Sequence, residues 1–311
     1  TRVIGNRHGE EKAGKRGNIT PITLNLPKLA LKTKNIDEFF VELDNLLLLA
    51  SKQLLHRFNV IASLKVKDLP FLMGQKLYMG SENLKDNDEI REAIKNGSLG
   101  IGFIGLAETL IVLTGKHHGE DKASWDLGYK IVERMKLATD KFAEEHDLNF
   151  VSYATPAEGT AGRFIEKDRK EFGVIKDVTD KAYYTNSFHI PVNYDISIFD
   201  KIDLEGPFHK LCAAGHISYI ELPSSPKDNI PAFEKILKHM RNSDMGYAGV
   251  NFPIDECRGC GNAGIIENEC KVCGSEDIRR IRRITGYLST IDRFNDAKQA
   301  ELYDRAVHQM K

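Results

Sequence analysis

Cysteine is scarce and unevenly placed. The 311 residues contain five, and none lies between Thr1 and Lys210. A disulfide framework spread through the fold is therefore excluded, and thiols paired at metal spacing with one left over fit a reducing, cytoplasmic setting. No apolar run approaches the roughly 18 residues that span a bilayer, since Leu46–Ala50 is short and flanked by charge. No secretory signal is recognisable. An excess of either charge is also lacking: 44 basic minus 45 acidic residues leaves −1. A global basic field for nucleic acid is thus absent, and neither nucleic acid nor membrane is expected as a partner. No internal repeat or low-complexity tract is found. What remains, 41% apolar and 29% charged residues, is ordinary for a globular chain able to bury a large core.

The patterning alternates strand and helix signals. Asn18–Pro27 reads as a strand closed by Pro27, and Ile36 to His56 as a helix capped by Asn35 or Asp37. Asp68–Gly74 reads as a loop, Asp86–Lys95 as a short helix, and Leu99–Gly105 as an apolar turn feeding a helix from Leu106. Ser124–Glu145 is a long amphipathic helix, Leu148–Thr155 a strand, and Pro156-Ala-Glu158 the start of the next helix. Phe188–Val192, His216–Glu221 and Tyr247–Asn251 read as strands, separated by helices near Glu205–Ala213 and Pro231–Arg241. This rhythm argues for an α/β architecture with parallel pairings. After Pro253 the character changes to cysteine knuckles, a basic segment and a final helix from Asp292, so the expected domains are 1–253 and 254–311.

Four cysteines stand in two C-x-x-C knuckles, Cys257-Arg-Gly-Cys260 and Cys270-Lys-Val-Cys273. Four thiolates suit tetrahedral Zn²⁺, and a filled four-sulfur site has no open position, so the ion would be structural. Gly259, Gly261 and Gly274 allow the tight turns that aim two sulfurs at one ion. An iron–sulfur cluster or a redox dithiol is the alternative for the same ligands. Cys212 sits in an apolar helical run and reads as a small buried hydrophobe.

Thirteen residues beyond Cys273 comes Gly286, in Arg282-Arg-Ile-Thr-Gly-Tyr-Leu288. Taken alone this is a basic loop tip. A four-cysteine ribbon, a short spacer, R-x-T-G-Y-L and about 25 terminal residues together resemble the C-terminus of anaerobic (class III) ribonucleoside-triphosphate reductases. The resemblance extends along the whole chain. Arg16-Gly-Asn-Ile19 and Leu24-Asn-Leu-Pro27 are similar to the family's first segment after its active-site finger loop. Gly100–Glu108, Thr155–Glu158 with Arg163-Phe164, Tyr184–Ser187 with His189 and Pro191, and Gly249–Phe252 are similar to later blocks.

The resemblance implies the second part of a ten-stranded α/β barrel of the glycyl radical enzyme type, followed by a zinc ribbon and a glycyl radical loop. It implies that Gly286 carries a backbone radical installed by a radical S-adenosylmethionine activating enzyme. Glycine suits this role, because a side chain would oppose the planarity that delocalises an α-carbon radical and would thicken the loop. By resemblance, the Gly286 radical takes hydrogen from a cysteine. The resulting thiyl abstracts the ribose 3′ hydrogen of a ribonucleoside triphosphate, the 2′ hydroxyl leaves as water, and the ring is reduced. Formate is the implied reductant, with a thioredoxin-like donor in some relatives. Asn18 and Asn25 are candidates for contacts at the ribose, against plain turn chemistry. Thr155, Pro156, Ala157 and Glu158, at a strand-to-helix junction, are candidates for substrate phosphates, against a plain proline-started helix.

The family's thiyl cysteine stands in a Met-Gly-Cys-Arg-like stretch that would fall just before Thr1. The expectation is therefore a part of a longer or split reductase, inactive without its upstream portion and a homodimer when complete. Rivals are another glycyl radical enzyme, which would lack the cysteine ribbon, and a zinc-ribbon binding module without catalysis, which would show a basic surface. Gly100-x-Gly102-x-x-Gly105 matches the dinucleotide fingerprint as a string, but Lys95–Ser98 before it is not a buried strand. His117-His118 reads as a solvated loop, and Arg279–Arg283 as a docking segment for an acidic surface or the activating enzyme.

Overall fold

In the computed structural model, residues 5–284 and 286–310 are described. Thr285 of the R-x-T-G-Y-L segment and the first four residues lie outside them.

Strand β1 (Asn18–Asn25) runs into α1 (Leu26–Lys32), whose N-cap Asn25 accepts from the Lys28 N–H while Pro27 fills the first turn. Helix α2 (Ile36–Ala62) starts at Asn35, whose side chain accepts from Glu38 N–H. After turns over 66–83 and the single-turn α3 (Arg91–Ile94) comes β2 (Ser98–Ile104). Next follow α4 (Leu106–Thr114), α5 (Lys122–His146), β3 (Asn149–Ala154), α6 (Gly159–Phe172), α7 (Ile198–His209), β4 (Ser218–Glu221), α8 (Ile230–Asn242) and β5 (Ala248–Asn251).

Strands β1, β2 and β3 form a parallel sheet in that order, and β4 and β5 pair in parallel. Two backbone bonds bridge the groups, Ala154 N–H to Gly215 O at 2.8 Å and Ala214 N–H to Ser152 O at 3.1 Å. Both contacts fall just before β4, so the three-stranded and the two-stranded parallel sheets are tied to each other by these bonds without forming one ladder. On one face Leu99, Ile101, Phe103 and Phe150 join Leu43, Leu47 and Leu54 of α2 and Ile131 and Met135 of α5 in the main core.

The opposite face carries Thr23, Gly102 and Tyr153 in register. Here glycine is a packing requirement. A Cβ on Gly102 would lie 2.2 Å from Thr155 Oγ1 and 2.6 Å from the Tyr153 ring. That gap lets Thr23 Oγ1 reach Tyr153 Oη (3.2 Å) and Thr155 Oγ1 (3.1 Å). Gly102→Ala is expected to cost about 1–3 kcal/mol through overpacking and Gly100→Ala less, since its Cβ would stand 3.1 Å from Tyr153. The two thermal midpoints check the order.

Several sequence expectations change here. Leu99–Gly105 is not a turn but the central strand, buried at every position. Its glycines disguised it, and because Gly100 and Gly102 lie within the strand, with only Gly105 after it at the start of α4, the dinucleotide geometry does not arise. Helix α6 starts at Gly159, not Pro156, because the Ala157 N–H is taken by Asn186 Oδ1 at 2.7 Å and by the Thr155 carbonyl at 2.9 Å, which leaves 155–158 in an irregular turn. Phe188–Val192 is irregular, crossing over the sheet end instead of pairing. The expected Glu205–Ala213 helix lies earlier, as α7, and the last helix begins at Asp296, not Asp292. His117 and His118 are buried rather than solvated. Cys212 is fully buried, as read.

Burial holds several imidazoles neutral. It depresses the pKa of His118 to about 4 and that of His209 to about 3, where His216 also contributes. His308 falls to about 3 by burial and nearby Lys201. A free imidazole titrates near 6.5, so below that pH the unfolded chain binds protons the folded chain refuses. Stability is full above about pH 6.5 and falls toward the depressed values, by roughly 1–2 kcal/mol per ring between pH 7 and 5. Trp125 meets Phe208 edge to face, and Phe208 touches His118. Its fluorescence-detected melting midpoint should therefore drop over that interval, and a flat profile would contradict buried neutral rings.

The remaining residues build a separate antiparallel sheet of order β7-β6-β8-β9: β6 (Ile254–Cys257), β7 (Ala263–Gly264), β8 (Ile278–Arg283) and β9 (Leu288–Thr290). Helix α9 (Asp296–Asp304) follows. The basic run is strand β8, not a loop, and its charges face acids of its own sheet. Arg279 pairs with Glu256, and Arg282 and Arg280 reach Asp255 at 2.7 and 3.5 Å. Asp255 is buried and also accepts from Ile266 N–H. Three arginines thus pair with acids of their own sheet.

Candidate functional site

Two features meet at one end of the parallel sheet: the rim formed by the strands' C-terminal ends, and the turn carrying Gly286. In open α/β sheets this rim is where ligands bind.

The cysteine cluster anchors the turn's sheet. The sulfurs of Cys257, Cys260, Cys270 and Cys273 all lie within 4.8 Å of one another, and Cys257 and Cys270 are buried. A tetrahedral ion with sulfurs at about 2.3 Å requires sulfurs about 3.8 Å apart. The pairs Cys257–Cys273 and Cys260–Cys270 measure 3.5 and 3.6 Å. The N–H groups of Val272 and Cys273 lower the Cys270 thiol to about 6 against burial, with help from the Cys260 and Cys257 sulfurs. At Cys273 the Ser275 N–H lowers the pKa, but the sulfurs of Cys260 and Cys257 raise it, to about 12. Four thiols so close cannot all ionise unless a cation compensates them, and the donor set fits Zn²⁺.

Gly286 sits between β8 and β9 with φ +121°, a conformation that favours glycine. The nearest heavy atom to where a side chain would stand is Tyr219 Oη, at 3.7 Å. Tyr219 lies on β4, and its buried hydroxyl has no hydrogen-bond partner among the described residues. Gly249, opposite Tyr219 on β5, leaves room for Arg283, whose Nη1 would be 3.1 Å from a Cβ there. A cavity of about 310 Å³ lies between the rim and the glycine sheet, lined by Glu221, Asn251, Arg282, Arg283, Leu288 and Arg305 among others.

The structure brings some expected site residues together and separates others. Thr155, Pro156, Ala157 and Glu158 follow β3 at the rim. Thr155 bonds Thr23, and the Ala157 N–H is taken by Asn186. Glu158 Oε2 accepts from Lys298 Nζ at 2.7 Å and from the Tyr287 hydroxyl at 3.2 Å. This segment therefore touches the residue next to Gly286. Asn25 is also at the rim, capping α1 and donating to buried Asp168 at 2.7 Å. Asn18 begins β1, about 23 Å along the strand at roughly 3.3 Å per residue, and accepts from Ser98 Oγ. Asn18 and Asn25 thus stand at opposite ends.

Sequence reasoning missed Arg305, Glu301, Lys298, Asn186 and Tyr219. Arg305 is buried and donates to Glu221 and Glu301, and also to the carbonyls of Arg283 and Ile284 just before the turn. The signals available were the place of Asn186 in the Tyr184–Ser187 block and the i,i+4 spacing of Glu301 and Arg305, which is common on solvated helices.

Comparison with known proteins identifies the family. A family model described as anaerobic ribonucleoside-triphosphate reductase matches residues 1–308. The chain is 38% identical to the anaerobic ribonucleoside-triphosphate reductase of Escherichia coli K12 over 98% of its own length and 44% of that protein's. With the protein of the same name from Enterobacteria phage T4 the values are 36%, 97% and 50%. The chain thus spans about half the length of the curated relatives it matches. Among solved structures, an anaerobic ribonucleotide reductase superimposes with a TM-score of 0.77 at 21% identity, covering 95% of this chain and 45% of that one. The Thermotoga maritima anaerobic ribonucleotide reductase solved with MES in the active site gives 0.73 at 21%, covering 94% and 47%. The mixed α/β fold is therefore shared with these structures. The chain belongs to the anaerobic ribonucleoside-triphosphate reductase family.

Proposed function

We propose that this chain is the C-terminal part of an enzyme that reduces ribonucleoside triphosphates to 2′-deoxyribonucleoside triphosphates, with Gly286 as the residue that stores the radical. The observation that carries this reading is the placement of Gly286 against Tyr219 of the β4–β5 parallel pair, on a turn held by a four-cysteine sheet. The five strands would be one half of a ten-stranded barrel. Residues 1–253 would form its catalytic portion and 254–311 the zinc-binding and glycyl radical domain.

Cys257, Cys260, Cys270 and Cys273 would hold Zn²⁺, which, when bound, neutralises the thiolates and fixes the sheet without touching substrate. A radical S-adenosylmethionine enzyme would remove one hydrogen atom from the Gly286 α-carbon. Gly286 then takes a hydrogen atom from a cysteine of the upstream part, and that thiyl abstracts the ribose 3′ hydrogen. Formate would supply the two electrons that replace the departing 2′ hydroxyl by hydrogen. Thr155–Glu158 and the start of α6 would face the substrate phosphates, where Lys298 balances the Glu158 charge. Asn25, at the C-terminal end of β1, would be the ribose contact, and Asn18, at the other end of the strand, would not. The whole enzyme would act as a homodimer.

The test is anaerobic electron paramagnetic resonance with the upstream part, activating enzyme and S-adenosylmethionine supplied. A doublet that depends on Gly286, and backbone cleavage there on exposure to air, are expected. Absence of any signal in zinc-loaded protein with a proven activating enzyme would refute the assignment.

A further inference from the structure

The Gly286 turn is tied down on both sides by one short element. Before the turn, Arg305 donates to the carbonyls of Arg283 and Ile284 at 2.8 and 2.9 Å. After it, Lys298 donates to the Tyr287 hydroxyl at 2.6 Å, with its ammonium 4.8 Å from the ring centroid. Both cations belong to α9 or the residue that follows it, and their side chains are only 7% and 6% exposed, for Lys298 and Arg305 respectively. Buried cations persist only where partners are built in. Here these are Glu221 and Glu301 for Arg305, and Glu158 for Lys298.

The bonds continue into the sheet rim. Glu301 Oε2 accepts from Asn186 Nδ2 at 3.2 Å, and Asn186 Oδ1 accepts from the Ala157 N–H. One route therefore runs from Ala157 through Asn186, Glu301 and Arg305 to the backbone before Gly286. The other runs from Glu158 through Lys298 to Tyr287. Helix α9 can bridge them because it packs closely on α6, where a Cβ on Gly162 would lie 2.8 Å from Ala297 Cβ.

We propose that Lys298 and Arg305 are positioning residues, which hold Gly286 at a fixed depth over the rim and in register with 155–158. The inference rests on Gly286 being the radical site. A glycine has no side chain of its own to anchor the turn, and a reacting atom misplaced by about 1 Å can cost about 10²-fold in rate. Arg305 grips two successive carbonyls with its planar fork, which a lysine cannot do.

The experiment compares Lys298→Gln, Arg305→Lys and the conservative Lys298→Arg, each with the upstream part supplied. Amide hydrogen exchange at Gly286, Tyr287 and Leu288 should rise at least tenfold in the first two variants, while β2 and β3 stay protected. Turnover per glycyl radical should fall at least tenfold in the same two, and Lys298→Arg should recover most of both. Unchanged exchange at 286–288 in both variants would sink the proposal. So would exchange that rises equally throughout β4 and β5, since that marks general destabilisation. If the unsubstituted protein gives no Gly286-dependent radical, the radical assignment fails, while the exchange data still decide whether α9 holds the turn.

Discussion

Gly286→Ala should abolish the radical doublet and turnover while leaving zinc content and folding nearly intact. The structure separates these effects. At φ +121° an L-residue is strained, which costs about 1–3 kcal/mol. The added methyl meets nothing closer than Tyr219 Oη at 3.7 Å, so it brings strain without collision. That is a modest fraction of the stability of a folded domain. On the proposed radical role the chemical loss would be total, because the methyl would oppose the planar, doubly conjugated α-carbon on which the radical would depend. Spin quantitation, zinc analysis and a melting curve on one sample check it. An undiminished doublet in the alanine variant would place the radical elsewhere.

The second large effect concerns the cysteines. Cys270→Ser should release zinc and unfold β6 to β9 while the parallel sheet stays folded. The core of this small sheet contains only Cys257, Ile266 and Cys270, with Ile278 packed against it. Its strands have four, two, six and three residues. Strands this short cannot stand without a staple. Structural zinc supplies about 10–16 kcal/mol in small zinc peptides, more than three buried side chains and one half-buried one. Proteolysis should therefore open the stretch between Cys257 and Arg283, with Trp125 fluorescence unchanged. Gly286 rides on β8, so radical formation should disappear with the zinc. Protection of that stretch in a zinc-free variant would mean that the cluster is not what holds the sheet.

Buried Asp255 adds to this picture. It gathers Arg280, Arg282 and the Ile266 N–H around one carboxylate, so the basic run that looks like a docking surface is internally neutralised. Sequence shows the charges but not their partners. The same limit explains His117 and His118, polar in sequence yet enclosed by Phe188, Tyr194 and Phe208. Gly100 and Gly102 misled in the opposite sense. Glycine normally argues against a strand, and the reason for it appears only once Tyr153 and Thr155 are seen lying over the gap.

By itself the sequence determined what depends on local spacing and residue chemistry. Two C-x-x-C knuckles must point four sulfurs inward, a cap must stand at Asn35 or Asp37 (the structure uses Asn35), and a long apolar period must make α5. It also carried enough block similarity to mark the family. Only the tertiary structure decided which residues act together. Asn18 and Asn25, seven positions apart on one strand, belong to opposite ends of the sheet. Glu158 and Tyr287, separated by 129 positions, share a hydrogen bond. Contacts of that kind are fixed by strand order and by how closely α9 approaches α6, and no local period in the chain encodes either.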